Sequence, residues 1–362
     1  MPEEINFVSG CLPDTRSEDE RAKDILFKEV VAAAAPVVWV EKPPASWRKF
    51  PIFNQDGSGS CVAQTMAKLM GVWYWLKNNI YVHFSATHIY QRRVNKPTSG
   101  MGGSDVFDIV KRDGVTLESL APSQDMTDAQ MDAVEIPQYK KDVGEIFKIG
   151  NYLFLPVGDI ETVASVIQQT GKAVMLWFYF SYGEWTNVPA LSGQVIDQWA
   201  PSTIRHSISG VDFTLYQGKK AIIIEDSWGP QFGMGGQRVI TEDFFKARNF
   251  FAAYPMNFSF ADQTAPVPPV VVVTKPVRHF DHELDFGMTD ADDVGALQRI
   301  LAYEGFFPTN IAFTAYFGAI TADALLKWQV KHNVAPLSEL NELKGRKAGP
   351  KTITKLNELY GQ

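Results

Sequence analysis

The 362 residues carry 45% apolar and 21% charged side chains, with 24 Phe and 9 Trp, a composition that builds packed cores and excludes a mainly disordered chain. A formal net charge of -7 without a dense Lys/Arg run excludes a dominant nucleic-acid surface. No window reaches the ~18 apolar residues of a membrane span, and the start MPEEINFVSGCLPDTRSEDE lacks the basic and apolar regions of a secretory leader, so the chain reads as soluble, with no membrane insertion.

In chain order, RSEDERAKDILFKEVVAAAA reads as a short helix and APVVWVEKPPASW as extended chain. From Ser60 to Lys77 the spacing predicts a helix with Val62, Met66, Leu69, Val72 or Trp73, and Leu76 on one broad face. Further helices are expected at 85–93, 104–113 and 159–170, followed by strands at 173–180, 207–213, 220–224 and 237–241. Helices first and strands later predict an α+β arrangement. Residues 261–278, ADQTAPVPPVVVVTKPVR, combine four prolines with a β-branched run, which is either an extended tether or, through VVVV, an edge strand of a neighbouring domain. Beyond it, Thr289 caps DADDVGALQRILAYEG, with Val294, Leu297, Ile300 and Leu301 inward and Gly305 at the end. Helices at 321–333 and 351–360 complete a small three-helix module. The length fits two main domains, and the divisions fall at 1–45 (arm), 46–260, 261–284 (linker) and 285–362.

With only Cys11 and Cys61, the fold cannot rest on a disulfide framework. A bridge between the two would consume the better nucleophile, and Cys11 reads as a small buried hydrophobe. Cys61 opens a predicted helix, where unpaired amides and the macrodipole favour the thiolate. Gly57 and Gly59 before it allow close backbone approach, and Gln55 can present a side-chain N–H to a developing oxyanion.

The segment NQDGSGSCVAQ resembles papain-like cysteine peptidases. Gln55 stands six positions before Cys61, as the family's oxyanion glutamine does, and Gly59, Ser60 and Ala63 match its motif. Ser58 stands where the family has a disulfide-bonded cysteine, and Val62 where it has a tryptophan. A base is expected roughly 130–150 residues downstream, and His206 lies 145 positions after Cys61. In AIIIEDSWGPQFGMGG, Asp226 falls at the family's orienting asparagine, Trp228 at its shielding tryptophan and Phe232 at a second aromatic. The carboxylate in place of the amide should raise the imidazolium pKa and keep the site active. Of the other histidines, His83 and His88 read as structural, His279 and His282 as two ligands short of a metal site, and His332 as a helix C-terminal partner.

The resemblance spans most of residues 8–255 and implies a two-lobed fold, a helical lobe plus an antiparallel β-barrel-like lobe. SGCLPD looks like an N-terminal arm that belongs to the fold and is not a long removable inhibitor. SGMGGSDVFDIVKRDGVTLES resembles the glycine-rich segment that binds substrate, with Gly102 or Gly103 hydrogen-bonding an extended peptide. Residues 285–362 resemble the type 1 peptidoglycan-binding repeat through Val294, Leu297, Gln298, Leu301, Gly305, Phe317, Gly318, Thr321, Ala324, Trp328, Gln329, Gly349, Thr352, Leu356 and Asn357. Together these imply a cysteine endopeptidase needing no cofactor and no metal, acting on a peptide or protein at a bacterial cell wall, phage-encoded or exported by a non-Sec route. The alternative is a non-catalytic wall-binding or structural component of a phage particle or similar assembly on the same scaffold.

Overall fold

The computed structural model describes residues 9–26, 36–79, 81–186, 194–260, 275–288, 290, 292–307, 313 and 317–361. Residues 261–274 of the proline-rich run, with its VVVV, the Thr289 cap and the second half of the first expected helix lie outside them. The chain divides into two compact units, Met1–Ala261 and Asp262–Gln362.

In the first unit, one turn of helix, Glu18–Arg21, is closed by a capping box between Ser17 and Glu20. The helix Cys61–Asn78 follows and ends at Asn79 with φ 55°, a left-handed C-cap. Every residue from Cys61 to Val72 is buried, so the apolar face expected from the sequence becomes a fully enclosed cylinder over three turns. Its polar residues are paired accordingly. Gln64 donates to the Ser123 carbonyl at 3.0 Å, Ser207 Oγ to Thr65 Oγ1 at 3.0 Å, and Lys68 Nζ to Glu225 at 2.7 Å. Helices Ala86–Tyr90, Gly103–Asp113, Asp128–Ala133 and Gln138–Ile146 complete this helical side.

The strands β1 (Phe147–Ile149), β2 (Tyr152–Phe154), β3 (Val174–Phe180), β4 (Ile204–Tyr216), β5 (Lys219–Glu225), β6 (Gln237–Thr241), β7 (Asn249–Pro255) and β8 (Phe258–Phe260) come mostly later, as the sequence pattern predicts. Six form an antiparallel sheet of order β2-β7-β3-β4-β5-β6, and β1 pairs separately with β8. Both faces of this sheet are covered. On β3, Met175 and Trp177 join the core beneath the Cys61 helix, while Val174, Leu176, Phe178 and Phe180 join a second core with helices Ile160–Thr170 and Glu242–Arg248. The same alternation runs along β5, with Ala221 and Ile223 on one side and Ile222 and Ile224 on the other. That is why VMLWFYF and AIII read as continuous apolar runs and not as half-polar strands.

The second unit holds helices Asp293–Tyr303, Ala319–Lys331 and Pro350–Tyr360, near the three expected, and adds Leu337–Leu343 and a two-residue ladder between β9 (Leu284–Asp285) and β10 (Lys347–Ala348). The added helix buries only Leu340, too little to leave a periodic signature. Phe280, Leu297, Leu301, Phe317, Leu325, Trp328 and Leu356 form its core. The polar members of the repeat pattern are internal struts: Gln298 donates to Thr321 and Gln329 to Thr352, each at 2.9 Å, and Asn357 exchanges two 2.8 Å bonds with the Phe280 backbone. His332 bonds the Glu304 carboxylate at 2.7 Å instead of the helix carbonyls expected for it.

Candidate active site

Cys61 is the first residue of its helix, and no side chain of Ser60 caps the amides there, because the Ser60 hydroxyl is 2.7 Å from that of Ser58. The positive end of the helix dipole therefore acts on the thiol without a competing acceptor. Opposite, β4 carries His206, paired in register with Phe178 of β3. The His206 ring and the Ser207 amide both lie close enough to the Cys61 sulfur to favour its thiolate. On its other side, His206 Nε2 lies 2.7 Å from Asp226 Oδ1. Asp226 follows directly on β5, where the strand leaves the sheet for the glycine-rich turn.

Burial alone would raise the Cys61 pKa, but hydrogen bonds from Cys11 and His206 and the imidazolium charge lower it to about 5. Burial alone would depress His206, but the Asp226 carboxylate and the thiolate raise it to about 9. Asp226 is held below the usual carboxylate range: burial opposes ionisation, and His206 and Arg238 outweigh it. Trp228 is 3% exposed, with its ring centroid 4.9 Å from that of His206, and so covers the imidazole, while Phe232 stands 5.8 Å behind it.

Gln55 is placed by the strand that carries Asp226. Its amide donates to the Ser227 carbonyl at 2.8 Å, its Oε1 accepts from Ser227 Oγ at 2.6 Å, and its Nε2 donates to the Ser58 carbonyl at 2.5 Å. A carboxamide nitrogen has two hydrogens, so one is left to point elsewhere. Behind these residues, the Lys68–Glu225 ion pair joins the second turn of the Cys61 helix to the residue before Asp226, with side chains 3% and 0% exposed. Such a buried pair adds little net stability, but it fixes the helix against the strand.

Two aspects of the site were not foreseen. The segment from Ser9 to Leu12 crosses directly over the thiol. Met101 donates to the Gly10 carbonyl at 2.9 Å, Leu12 donates to the Met101 carbonyl at 3.0 Å, and Cys11 donates to the Arg205 carbonyl at 3.4 Å. The Cys11 and Cys61 sulfurs are 3.9 Å apart, both fully buried and unbridged. A Cβ on Gly10 would stand 2.4 Å from the Cys61 sulfur, which is how closely the backbone packs. The arm's own strand-like contact is made by Met101, next to the glycines expected to hold an extended substrate. Gly102 caps the next helix with its amide on the Asp105 carboxylate, and Gly103 lies against the Phe251 ring. The second aspect is the pair Arg238 and Trp185, which meets Asp226 from behind. Arg238 was visible as the one charge inside QRVIT, but a single polar residue in a short strand carries no partner with it.

In the second unit, ligand atoms of His282, Asp290 and Asp293 lie within 4.8 Å of one another, in place of the His279 and His282 pairing weighed from the sequence. Asp290 already accepts the amides of Asp292 and Asp293, and Asp293 already pairs with Arg278.

The family model for "Papain family cysteine protease" matches residues 44–246. A KDEL-tailed cysteine endopeptidase of Arabidopsis thaliana is 24% identical over 240 residues, 62% of this chain, and the match spans 63% of that relative's own length, under two thirds. Xylellain, a cysteine protease from Xylella fastidiosa, superposes with a TM-score of 0.53 at 18% identity over 70% of this chain and 96% of its own. A digestive procathepsin L2 proteinase from Tenebrio molitor gives 0.52 at 18% identity, over 71% and 80%. These likenesses identify the fold as papain-like, α+β and two-lobed.

Proposed function

The chain belongs to the papain family of cysteine proteases, and from that premise we propose that it is a cysteine endopeptidase working through Cys61, His206 and Asp226, held at a bacterial cell wall by residues 285–362. The observation that carries the chemistry is the line from thiol to imidazole to carboxylate, with Cys61 at a helix N-terminus and His206 Nε2 2.7 Å from Asp226. In this reading the Cys61 thiolate attacks the scissile carbonyl. The oxyanion is met by the free hydrogen of Gln55 Nε2 and by the Cys61 amide, which as a first-turn N–H has no carbonyl inside the helix. His206 gives its proton to the leaving amine and then takes one from the water that releases the acyl group. Asp226 keeps the ring oriented throughout.

The reactive form is thiolate beside imidazolium, so the sign of its pH dependence follows from both groups. Below about 5 the thiolate is protonated, and above about 9 the imidazolium loses its proton. A plot of kcat/KM against pH should be a bell with limbs near those values. A lower limb near the ordinary thiol pKa would reject the ion pair. An activity-based thiol probe provides the direct test of the site. Labelling confined to Cys61 at neutral pH supports it, and no labelling sinks it.

Wall attachment rests on the repeat pattern in residues 285–362, which in this fold builds a stable small core. Tethering there would raise the local concentration of substrate bonds in wall peptides or wall-associated proteins. Intact protein should sediment with purified sacculi, and a chain ending at residue 265 should stay in the supernatant. Equal retention of the two rejects the assignment.

A further inference from the structure

We propose that Arg238 is a positioning residue for the reaction: with Trp185 it fixes the Asp226 carboxylate and makes an acid, not an amide, the group that fits behind His206. The inference rests on the site proposed above. Asp226 Oδ1 receives His206 at 2.7 Å and the Ser227 amide at 2.8 Å, while Oδ2 receives Arg238 Nε at 3.0 Å and Trp185 Nε1 at 2.9 Å. Arg238 Nη1 donates in turn to the Trp185 carbonyl at 2.7 Å, and its guanidinium lies 5.1 Å from the Trp185 ring centroid. All of these side chains are buried. Both oxygens thus face donors only. An asparagine, the residue of the resembling family at this position, would have to aim its NH2 either at His206 and Ser227 or at Arg238 and Trp185, and each choice sets donor against donor. It would also leave the guanidinium buried without a counter-charge next to an imidazolium.

The charges facing Asp226 are His206 from β4, Arg238 from β6 and, farther off, Lys68 from the Cys61 helix, itself matched by Glu225. Removing one partner therefore differs from removing both, and a double-mutant cycle separates positioning from packing. The test compares wild type, Asp226→Asn, Arg238→Gln and the double variant. Cys61 alkylation by iodoacetamide is followed across pH, together with kcat/KM and the thermal melt. Asp226→Asn should move the upper pH limb down and slow alkylation at neutral pH about tenfold or more. Arg238→Gln should move that limb up. The double variant offers the asparagine amide an acceptor, so it should react about tenfold faster than Asp226→Asn and melt no lower. A double variant that reacts no faster, melts lower or fails to fold overturns the proposal, as does an unmoved limb in Arg238→Gln. Wild type that is not alkylated at Cys61 brings down the site itself, whereas a reactive wild type with coincident single and double profiles brings down this inference alone.

A separate observation, the contact between the two sulfurs, carries a second inference. We infer that Cys11 is a resolving thiol that captures oxidised Cys61 as a disulfide. The ladder to Met101 and Arg205 delivers Cys11 to within 3.9 Å of Cys61, and no other cysteine exists in the sequence. With hydrogen peroxide as oxidant, the Cys61 thiolate attacks one peroxide oxygen, the O–O bond breaks, and a sulfenic acid and hydroxide result. The Cys11 sulfur then attacks the sulfenic sulfur, the S–O bond breaks, and water leaves with the Cys11 proton. The product closes the arm covalently over the site until a thiol reductant reopens it. Hydrogen peroxide should abolish activity of the wild type, with recovery in dithiothreitol and a Cys11–Cys61 cross-linked peptide by mass spectrometry. Cys11→Ser should lose its activity irreversibly, with Cys61 as sulfinic or sulfonic acid. Irreversible loss in both proteins, or reversible loss without the cross-link, overturns the inference. Absence of Cys61 labelling in untreated protein identifies failure of the underlying site.

Discussion

His206→Ala is expected to slow peptide hydrolysis roughly 10⁴-fold, the scale on which removal of a base and proton donor acts when binding and the oxyanion donors remain. It should act on the nucleophile before any substrate arrives. With the Cys11 contact, the imidazolium's hydrogen bonding and charge hold Cys61 near 5 against the opposing effect of burial. Without it, the thiol returns to its ordinary range or above. At pH 6 the thiolate fraction then falls by about 10² to 10³ for a pKa change of three to four units. Iodoacetamide labelling of Cys61 at that pH should fall in step. A variant that hydrolyses poorly but still labels at the wild-type rate would show that the thiolate is stabilised by the helix end alone and that His206 acts later.

Gly10→Val should have the second largest effect, and in the opposite direction. A Cβ at residue 10 meets the Cys61 sulfur at 2.4 Å and the Gly59 carbonyl oxygen at 2.6 Å, and the second contact is backbone, which cannot swing aside. The arm must lift. In the native chain Gly10, Cys11 and Leu12 hold the Met101 backbone and the space over the thiol, which on the proposed function a substrate strand would have to share. A competent state populated at one to ten percent costs a substrate a factor of about ten to a hundred in apparent affinity. Gly10→Val should recover that factor as a lower KM with kcat nearly unchanged, measured with a short fluorogenic peptide. If the arm serves only to brace the two lobes, the variant will lose kcat/KM and thermal stability together. The arm was read from the sequence as part of the fold and not a long removable inhibitor. It lies directly over Cys61, so on the proposed function a short segment packed into the fold stands in the path of a substrate.

Cys61 and Gln55 stand beside local landmarks, a helix start and a loop of small residues, whereas His206 and Asp226 are named only through the resemblance to papain-like peptidases. The α+β class was legible because helical periodicity precedes strands that bury both faces, and the two-lobed arrangement came with the resemblance. The supports of the site were not legible. Trp185 and Asp226 are 41 positions apart, and Lys68 and Glu225 are 157 apart. Nothing in the local pattern of either member names the other. The surroundings of Gly102 and Gly103 are illegible for a related reason. Glycines mark close approach, but at 102 and 103 what approaches is the Asp105 carboxylate and the Phe251 ring.

The double-sided burial of the central strand also governs how this chain comes into being. VMLWFYF in β3 is seven residues without a charge, every one buried, and its sheet partners β4 and β7 begin only at Ile204 and Asn249. During synthesis β3 therefore emerges before either strand partner, with two bare edges, the feature that promotes intermolecular strand pairing. Recovery of soluble protein is then set by a race between closure of the sheet and encounter with a second chain, and dilution, which slows only the encounter, favours the native outcome.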